Sequence, residues 1–334
     1  MDYRRLGRSG LDVSIVCLGT MMFGDRTSLA DATEIVAHAH DHGVNFIDTA
    51  DVYAKGESER ITGAAIRPKR NEWILATKVG NAMREGVRND SGLSRRWIVS
   101  ECDASLARLA TDCIDIYYFH NDDVATPLEE SIRAIGDLIV SGKVRYFGVS
   151  NFRGWRIAEV NRVCVELGVP RPIVCQPYYN LLNRMPEVEV LPACDHYGMG
   201  VASYSPIARG VLTGKYAKDV VPTDSRAARN DRRMMETEFR EESFAIAQKL
   251  KEHADRTGRT PTQFALAWLW ANAIVSSVIA GPRTLAQWKD YVDAIATAWS
   301  DEDEALVDSL VKPGHPSTPG YSDPRYPFFG RRRP

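Results

Sequence analysis

The stretch FIDTADVYAKGESER, from Phe46 to Arg60, begins as a short apolar strand and changes character at Asp48. An ionised carboxylate at the mouth of an apolar strand is costly unless a cation pairs with it. The stretch therefore demands partners from elsewhere in the chain. Around it, short apolar runs alternate with amphipathic stretches along almost the whole sequence, the pattern of βα units around a parallel sheet. Eight runs read as strands: VSIVCLG at Val13, VNFIDTA at Val44, EWILATK at Glu72, CIDIYYFH at Cys113, VRYFGVSN at Val144, PIVCQPYY at Pro172, GVASYSP at Gly200 and SSVIAG at Ser276. Helical stretches such as LADATEIVAHAHDHG and RWIVSECDASLARLA lie between them. In TPLEESIRAIGDLIVSG, Thr126 and Glu129 have capping-box spacing and Pro127 falls in the first helical turn.

Eight units in about 290 residues predict an α/β fold closed as a (β/α)8 TIM barrel in preference to a doubly wound sheet. No GxGxxG follows any strand, which weakens the Rossmann alternative. The N-terminal YRRLGRSGLDVS reads as a β-hairpin around Arg8–Gly10 that closes the bottom of the barrel. After the seventh strand, the segment from Ile207 to Phe239 is long enough to be a functional lid. It carries GVLTGK and the arginines Arg226, Arg229, Arg232 and Arg233. The tail, residues 313–334, is rich in Pro, Gly and aromatics and reads as extended, with its aromatics anchoring it on the barrel or on another subunit. Residues 1–334 are taken as one domain.

Composition narrows the function. With 334 residues, 44% of them hydrophobic, the chain can bury a large core. The formal charge of -2 and the dispersed lysines and arginines argue against a dedicated nucleic-acid binder. The terminal RRR is the one basic cluster and reads as solvated. Six cysteines without a CxxC pair suit reduced thiols better than a disulfide frame. MDYRRLGRSG lacks the apolar core of a signal peptide, and no apolar run approaches the ~18 residues of a membrane span. A cytoplasmic protein without membrane or nucleic-acid partners is expected.

The polar residues fall in a pattern. Each apolar run ends in a group able to bind or react: Asp48, Lys78, His120, Ser150 with Asn151, Gln176, Tyr204 and Gly281. In a barrel those C-terminal ends converge on the face where active sites of this fold lie. Asp48 and Tyr53, spaced D-x4-Y, follow the second strand, Lys78 ends the third and His120 the fourth. All four can meet over the mouth. Asp48 is expected to pair with Lys78, and Lys78 to reach the Tyr53 hydroxyl and lower its pKa from the ordinary ~10, making Tyr53 a usable general acid.

This constellation resembles the aldo-keto reductase family, whose Asp-Tyr-Lys-His tetrad matches Asp48, Tyr53, Lys78 and His120. The likeness covers nearly the entire chain and extends to GVSNF at Gly148, QPYYNLLNR at Gln176, YSPIARGVLTGKY at Tyr204 and the GxRxxxQ of Gly281, Arg283 and Gln287. The long loop and GVLTGKY look most like the branch of potassium-channel β-subunits and bacterial reductases. The resemblance implies an NADPH site in which Ser150, Asn151 and Gln176 hold the nicotinamide carboxamide, Tyr204 stacks on the ring, and Gly281, Arg283 and Gln287 hold the adenosine phosphate. It also implies cofactor contacts from Gly19, Thr20, Met21, Asp48, Ser205, Pro206, Gly210 and Lys215. Met22, Phe23, Tyr53, His120 and Asn121 are expected around a small carbonyl substrate. Two positions depart from the family pattern: Asn121, where relatives often carry an aromatic or basic residue, and Tyr291, where the last motif usually ends in Asn.

Taken singly, these residues have plainer readings. Asp48 could be a cap, Tyr53 a half-buried loop aromatic, His120 a satisfied core histidine and Arg283 a solvated helix-start cation; their joint placement favours the site. Lys78 alone could form a Schiff base as in barrel aldolases, but a lysine paired with Asp48 stays charged. HAHDH at His38, His40 and His42 reads as a solvated helix face, because His40 points away from the other two. No metal is expected. The sequence thus predicts NADPH-dependent reduction of aldehydes or ketones. The alternative is an NADP(H)-binding redox-sensing module with slow turnover, and a homo-oligomer is compatible with either.

Overall fold

The computed structural model describes residues 1–216, 222, 223 and 225–327. The terminal arginines 331–333, Phe328 and Phe329, and part of the expected lid lie outside the described residues. The described residues form ten strands. A hairpin pairs β1 (Tyr3–Arg5) antiparallel with β2 (Asp12–Ser14), and the remaining eight are parallel: β3 (Val16–Gly19), β4 (Phe46–Asp48), β5 (Ile74–Val79), β6 (Ile114–Phe119), β7 (Val144–Ser150), β8 (Val174–Gln176), β9 (Gly200–Tyr204) and β10 (Val275–Ala280). Each pairs with the next, and β10 pairs back to β3 to close the barrel.

The run VSIVCLG holds two strands instead of one. Val13 and Ser14 finish the hairpin, whereas Val16–Gly19 joins the barrel. Between them the Ser14 amide donates to Asn45 Oδ1 and the Ile15 amide to the Asp2 carbonyl. The hairpin does close the bottom. Leu6 is fully buried in the barrel interior with Val13, Cys17, Phe46, Ile116, Tyr118 and Val174. The Arg4 guanidinium donates to the carbonyls of Trp270, Asn272 and Val275. Gly7, at φ +57°, permits the close approach: a Cβ there would lie 2.5 Å from the Gly200 amide nitrogen.

A second, larger apolar cluster fills the layer between strands and helices, including Ile35, Ile98, Ile132, Val160, Leu191, Leu266 and Trp288. One helix start differs from expectation. The helix Leu128–Val140 has Pro127 as its N-cap, and no side chain caps it. Thr126 instead donates its hydroxyl to Asp123, which also accepts the amides of Ala125 and Thr126. The local Asp turn captures the threonine before the helix can use it.

The connection from β9 to β10 begins with a 3-10 segment, Ala208–Thr213, and continues through Ala227–Arg229 and the short helix Arg232–Thr237 to the helices Glu241–Arg256 and Pro261–Ala271. The described part of the tail is non-helical, as its composition predicts. It packs on the loop after β8: Ser317 donates its amide to the Leu182 carbonyl and Arg184 donates its amide to the His315 carbonyl.

Candidate active site

Strand register brings the candidate residues together. Asp48 lies opposite Gly19 and Ala76, Lys78 opposite Tyr118, and Ser150 opposite Gln176, all at the C-terminal rim. Asp48 and Lys78 are essentially sealed from solvent, at 2% and 0% exposure. Lys78 Nζ donates to Asp48 Oδ1 at 2.5 Å, to the Thr49 carbonyl at 2.6 Å and to the Tyr53 hydroxyl at 3.3 Å. Asp48 Oδ2 accepts from Gln176 Nε2 at 2.9 Å. The carboxylate that the apolar strand could not tolerate alone is thus saturated from two other strands.

The buried pair has definite electrostatics. Burial raises the Asp48 carboxyl above the ordinary range, against the lowering influence of Lys78. For Lys78 burial is also the largest influence and lowers it, but Asp48 and Tyr53 together outweigh burial and leave it raised. An amine held as ammonium has no free pair for a Schiff base, which counts against the aldolase alternative. The expectation that Lys78 holds Tyr53 below its ordinary value is overturned. Burial raises the phenol, and Lys78 only pulls it part of the way back. Desolvating a phenolate costs more than one cation 3.3 Å away returns. Tyr53 therefore remains protonated through neutral pH, as a proton donor must be.

The backbone that presents Tyr53 is strained. Ala54 and Lys55 sit at φ +47° and +56°, a left-handed pair unusual for residues with a Cβ, before Gly56 at +90°. The following helix, Glu57–Ile66, anchors this turn: Glu59 accepts from Thr77 at 2.6 Å and from Arg108 at 2.5 Å.

The His120 ring stands edge-on to Tyr53, with centroids 6.0 Å apart. Its Nδ1 meets Asn81 Nδ2 at 2.8 Å. The Asn81 amide has one consistent orientation, because its Oδ1 accepts from Asn121 Nδ2 at 2.6 Å and from Arg325 Nη2 at 2.5 Å. Asn81 then donates to Nδ1, so the ring proton resides on Nε2. Burial, Lys78 and Arg325 all push His120 well below its usual pKa. The ring is neutral and offers one donor.

A second chain of hydrogen bonds crosses the rim. Asn151, at φ +60°, donates to the His120 carbonyl at 2.8 Å and accepts from the Tyr204 hydroxyl at 2.8 Å. Ser150 donates to the Gln176 carbonyl at 2.8 Å. Tyr204 stacks on Tyr178, with centroids 5.6 Å apart.

These residues line a cavity of about 520 Å³. Gly19, Thr20, Met21, Asp48, Ser150, Asn151, Gln176, Tyr204, Ser205, Pro206, Gly210, Lys215, Gly281, Arg283 and Gln287 all face it, as do Met22, Tyr53 and His120. Lys78 lies behind the wall. Two expected substrate contacts do not face it. Phe23 is fully buried in the outer core, since the turn that bonds its amide to the Thr20 carbonyl carries its ring away from the mouth. Asn121 is likewise absent from the lining and binds Asn81 and Tyr326 instead. Arg232, read as part of the lid's basic face, is exposed and paired with Glu236 at 2.8 Å.

Several lining residues escaped the sequence reading: Asn81, Arg209, Thr262, Asp290, Arg325 and Tyr326. Asn81 has a readable signal, being a polar residue just beyond a strand that already ends in Lys78. Arg325 and Tyr326 lie far along the chain and carry none. Cations are concentrated on one part of the wall. The β9–β10 connection supplies Arg209, Lys215, Arg226, Arg229 and Arg233, and the segment after β10 supplies Arg283; Asp290 is the one acid among the described lining residues of these segments. The helix Leu285–Asp293 begins here, its N-cap Thr284 accepting from the Gln287 amide while Gln287 Oε1 accepts from the Arg283 amide. Such a wall suits a ligand with several phosphates. Tyr291 is buried at its edge. Among the described residues no cluster of His, Cys, Asp and Glu is placed to hold a metal ion. His38 and His42 stack on each other, and His40 turns to Glu72. No described helix is long and apolar enough to cross a membrane.

The profile of the Aldo/keto reductase family matches residues 15–312. Similar curated proteins include a probable voltage-gated potassium channel subunit beta of Arabidopsis thaliana, 39% identical over 88% of this chain and 91% of the relative. A protein of the same description from Oryza sativa subsp. japonica is 40% identical over 93% and 98%. An uncharacterized oxidoreductase of Bacillus subtilis, YrpG, is 33% identical over 96% and 100%.

Proposed function

The chain belongs to the aldo/keto reductase family, and on that premise we propose that it reduces aldehydes or ketones to alcohols with NADPH, Tyr53 being the general acid. The observation that carries this reading is the placement of a protonated Tyr53 hydroxyl, 3.3 Å from the buried Lys78 ammonium, in the same cavity wall as the neutral His120. A bound NADPH supplies a hydride to the carbonyl carbon. Tyr53 gives its proton to the carbonyl oxygen, and the phenolate that remains is stabilised by the adjoining ammonium. His120 donates from Nε2 and orients the oxygen, with Asn81 holding the tautomer.

The cofactor assignment rests on the wall itself. Arg283 precedes a helix N-terminus, where a planar bidentate donor suits the added phosphate that distinguishes NADPH from NADH. Arg209, Arg226 and Arg229 supply charge for the pyrophosphate, and Ser150, Asn151 and Gln176 supply amide and hydroxyl groups for the carboxamide. Steady-state turnover of an aldehyde and ketone panel, followed by NADPH absorbance, tests the reading. Turnover that requires NADPH supports it.

A second reading has its own support. Two relatives are described as probable potassium channel β-subunits, which favours an NADP(H)-binding module whose redox state sets a partner's binding. Tight NADPH binding with negligible cycling across the panel would select that reading over the first.

A further inference from the structure

One buried carboxylate has no place in the proposed reaction. Glu238 follows the short helix Arg232–Thr237 and is wholly buried. One of its oxygens accepts the Tyr178 hydroxyl, and the other has no hydrogen-bond partner among the described residues. An unpaired buried acceptor is costly, so the group asks for a role that packing does not supply. Burial pushes its carboxyl up, against the pull of Arg209, the Tyr178 bond, Arg240 and Arg233. Burial and Glu238 also push the Tyr178 phenol well up, so Tyr178 keeps its proton and donates it to the contact.

Tyr178 backs the ring that faces the cavity. It stacks on Tyr204 with centroids 5.6 Å and planes 27° apart. Tyr204 lines the cavity, and Tyr178 does not. Main-chain positions here are fixed independently: Tyr204 donates its amide to the Pro177 carbonyl at 3.0 Å, Asn180 Nδ2 donates to the Ser205 carbonyl at 3.0 Å, and Asn183 Nδ2 to the Tyr178 carbonyl at 2.8 Å. The far end of each ring is fixed by its hydroxyl. Tyr204 reaches Asn151, and Tyr178 reaches Glu238, its one hydroxyl partner among the described residues. Glu238 belongs to the connection that also carries the cationic wall. Arg233 lies on the helix before it, and Arg209 Nε donates to the hydroxyl of the neighbouring Thr237 at 3.2 Å.

We propose that Glu238 is a positioning residue that, through Tyr178, sets the Tyr204 ring against the nicotinamide. The inference rests on the NADPH reading for the ligand and on the Glu238–Tyr178–Tyr204 contacts for the positioning. A carboxylate suits the task because it only accepts, which leaves the phenol one way to point. The segment that supplies cations to the phosphates thereby also holds the ring at the other end of the cofactor.

Two measurements on the full chain test this. Without cofactor, hydrogen exchange read by mass spectrometry should quicken in residues 176–183 and 202–207 of both Glu238→Ala and Tyr178→Phe. Calorimetric titration should show NADPH weakened about tenfold in each, the value of a hydrogen bond to a charged group. Adenosine 2′,5′-bisphosphate, which reaches only the cationic wall, should bind as it does to the unaltered chain. The double variant should lose no more than either single one, and Glu238→Gln, which still accepts the hydroxyl, should recover most of the loss. Quickened exchange in a chain that binds no NADPH sinks the cofactor reading and sustains Glu238 as the residue that sets Tyr204. Unchanged exchange in both variants, additive losses, or equal weakening of the bisphosphate overturns the proposal, the last by assigning Glu238 to the folding of the connection.

Discussion

The mouth of the barrel is assembled in two ways. On one side Asp48, Lys78, Ser150 and Gln176 are the last residues of strands or lie within one of the end, held by ladder register and buried. On the other, Arg209, Arg226, Arg233, Asp323, Arg325 and Tyr326 arrive on connections and on the tail, joined by side-chain bonds and ion pairs that remain partly open to water. Charges of the first kind sit where solvent cannot substitute for a lost partner. Those of the second kind can be exchanged at small cost. The strand-end set therefore suits chemistry that must not vary, and the peripheral set suits selection among ligands.

Breaking the strand-end side should give the largest effects. Tyr53→Phe keeps the ring and removes the proton, so carbonyl reduction should fall by at least ~10² while NADPH titration stays near wild type; near-normal turnover would remove Tyr53 from its role. Lys78→Met leaves Asp48 buried without its cation and should cost about 3 kcal/mol of unfolding free energy in denaturant melts at neutral pH. The Asp48 carboxyl is already raised by burial, and losing Lys78 raises it further. The deficit should therefore shrink as the pH falls and Asp48 takes up a proton. A deficit that grew in acid would contradict the pairing.

Peripheral changes should be milder and selective. Arg283→Ala should weaken NADPH by about ten- to a hundredfold and leave NADH nearly unchanged in fluorescence titration. Equal weakening of both would assign Arg283 to the shared pyrophosphate or the fold. Asp323→Ala releases the tail from Arg233 and should alter unfolding free energy by no more than ~1 kcal/mol. Its signature should be faster proteolysis of the tail beyond residue 313. An unchanged cleavage rate would mean that the other fastenings of the tail, among them those at Ser317, Tyr326 and Arg184, hold it without Arg233.

The two sides also differ in how far they could be read in advance. Asp48, Lys78, His120 and Gln176 were legible because a short apolar run that stops at a polar residue marks both a buried parallel strand and its rim. Topology then brings rims together without further information. Phe23 was misplaced because apolar character does not reveal which wall of a turn a side chain faces. Tyr53 was misjudged for a related reason: spacing reveals a neighbouring cation but not the depth of burial, and burial decided the sign of the shift.

By itself, then, the sequence determined the eightfold βα alternation, the closing hairpin and the convergence of Asp48, Tyr53, Lys78 and His120, because each follows from local periodicity and chain order. Tertiary structure alone decided the tautomer of His120, the role of Asn81 and Asn121, and the arrival of Arg325 and Tyr326 beside them. Asn81 and Arg325 are separated by 244 positions. A contact across that distance leaves no periodic trace, since it depends on where a non-helical tail is fastened and not on any pattern within it.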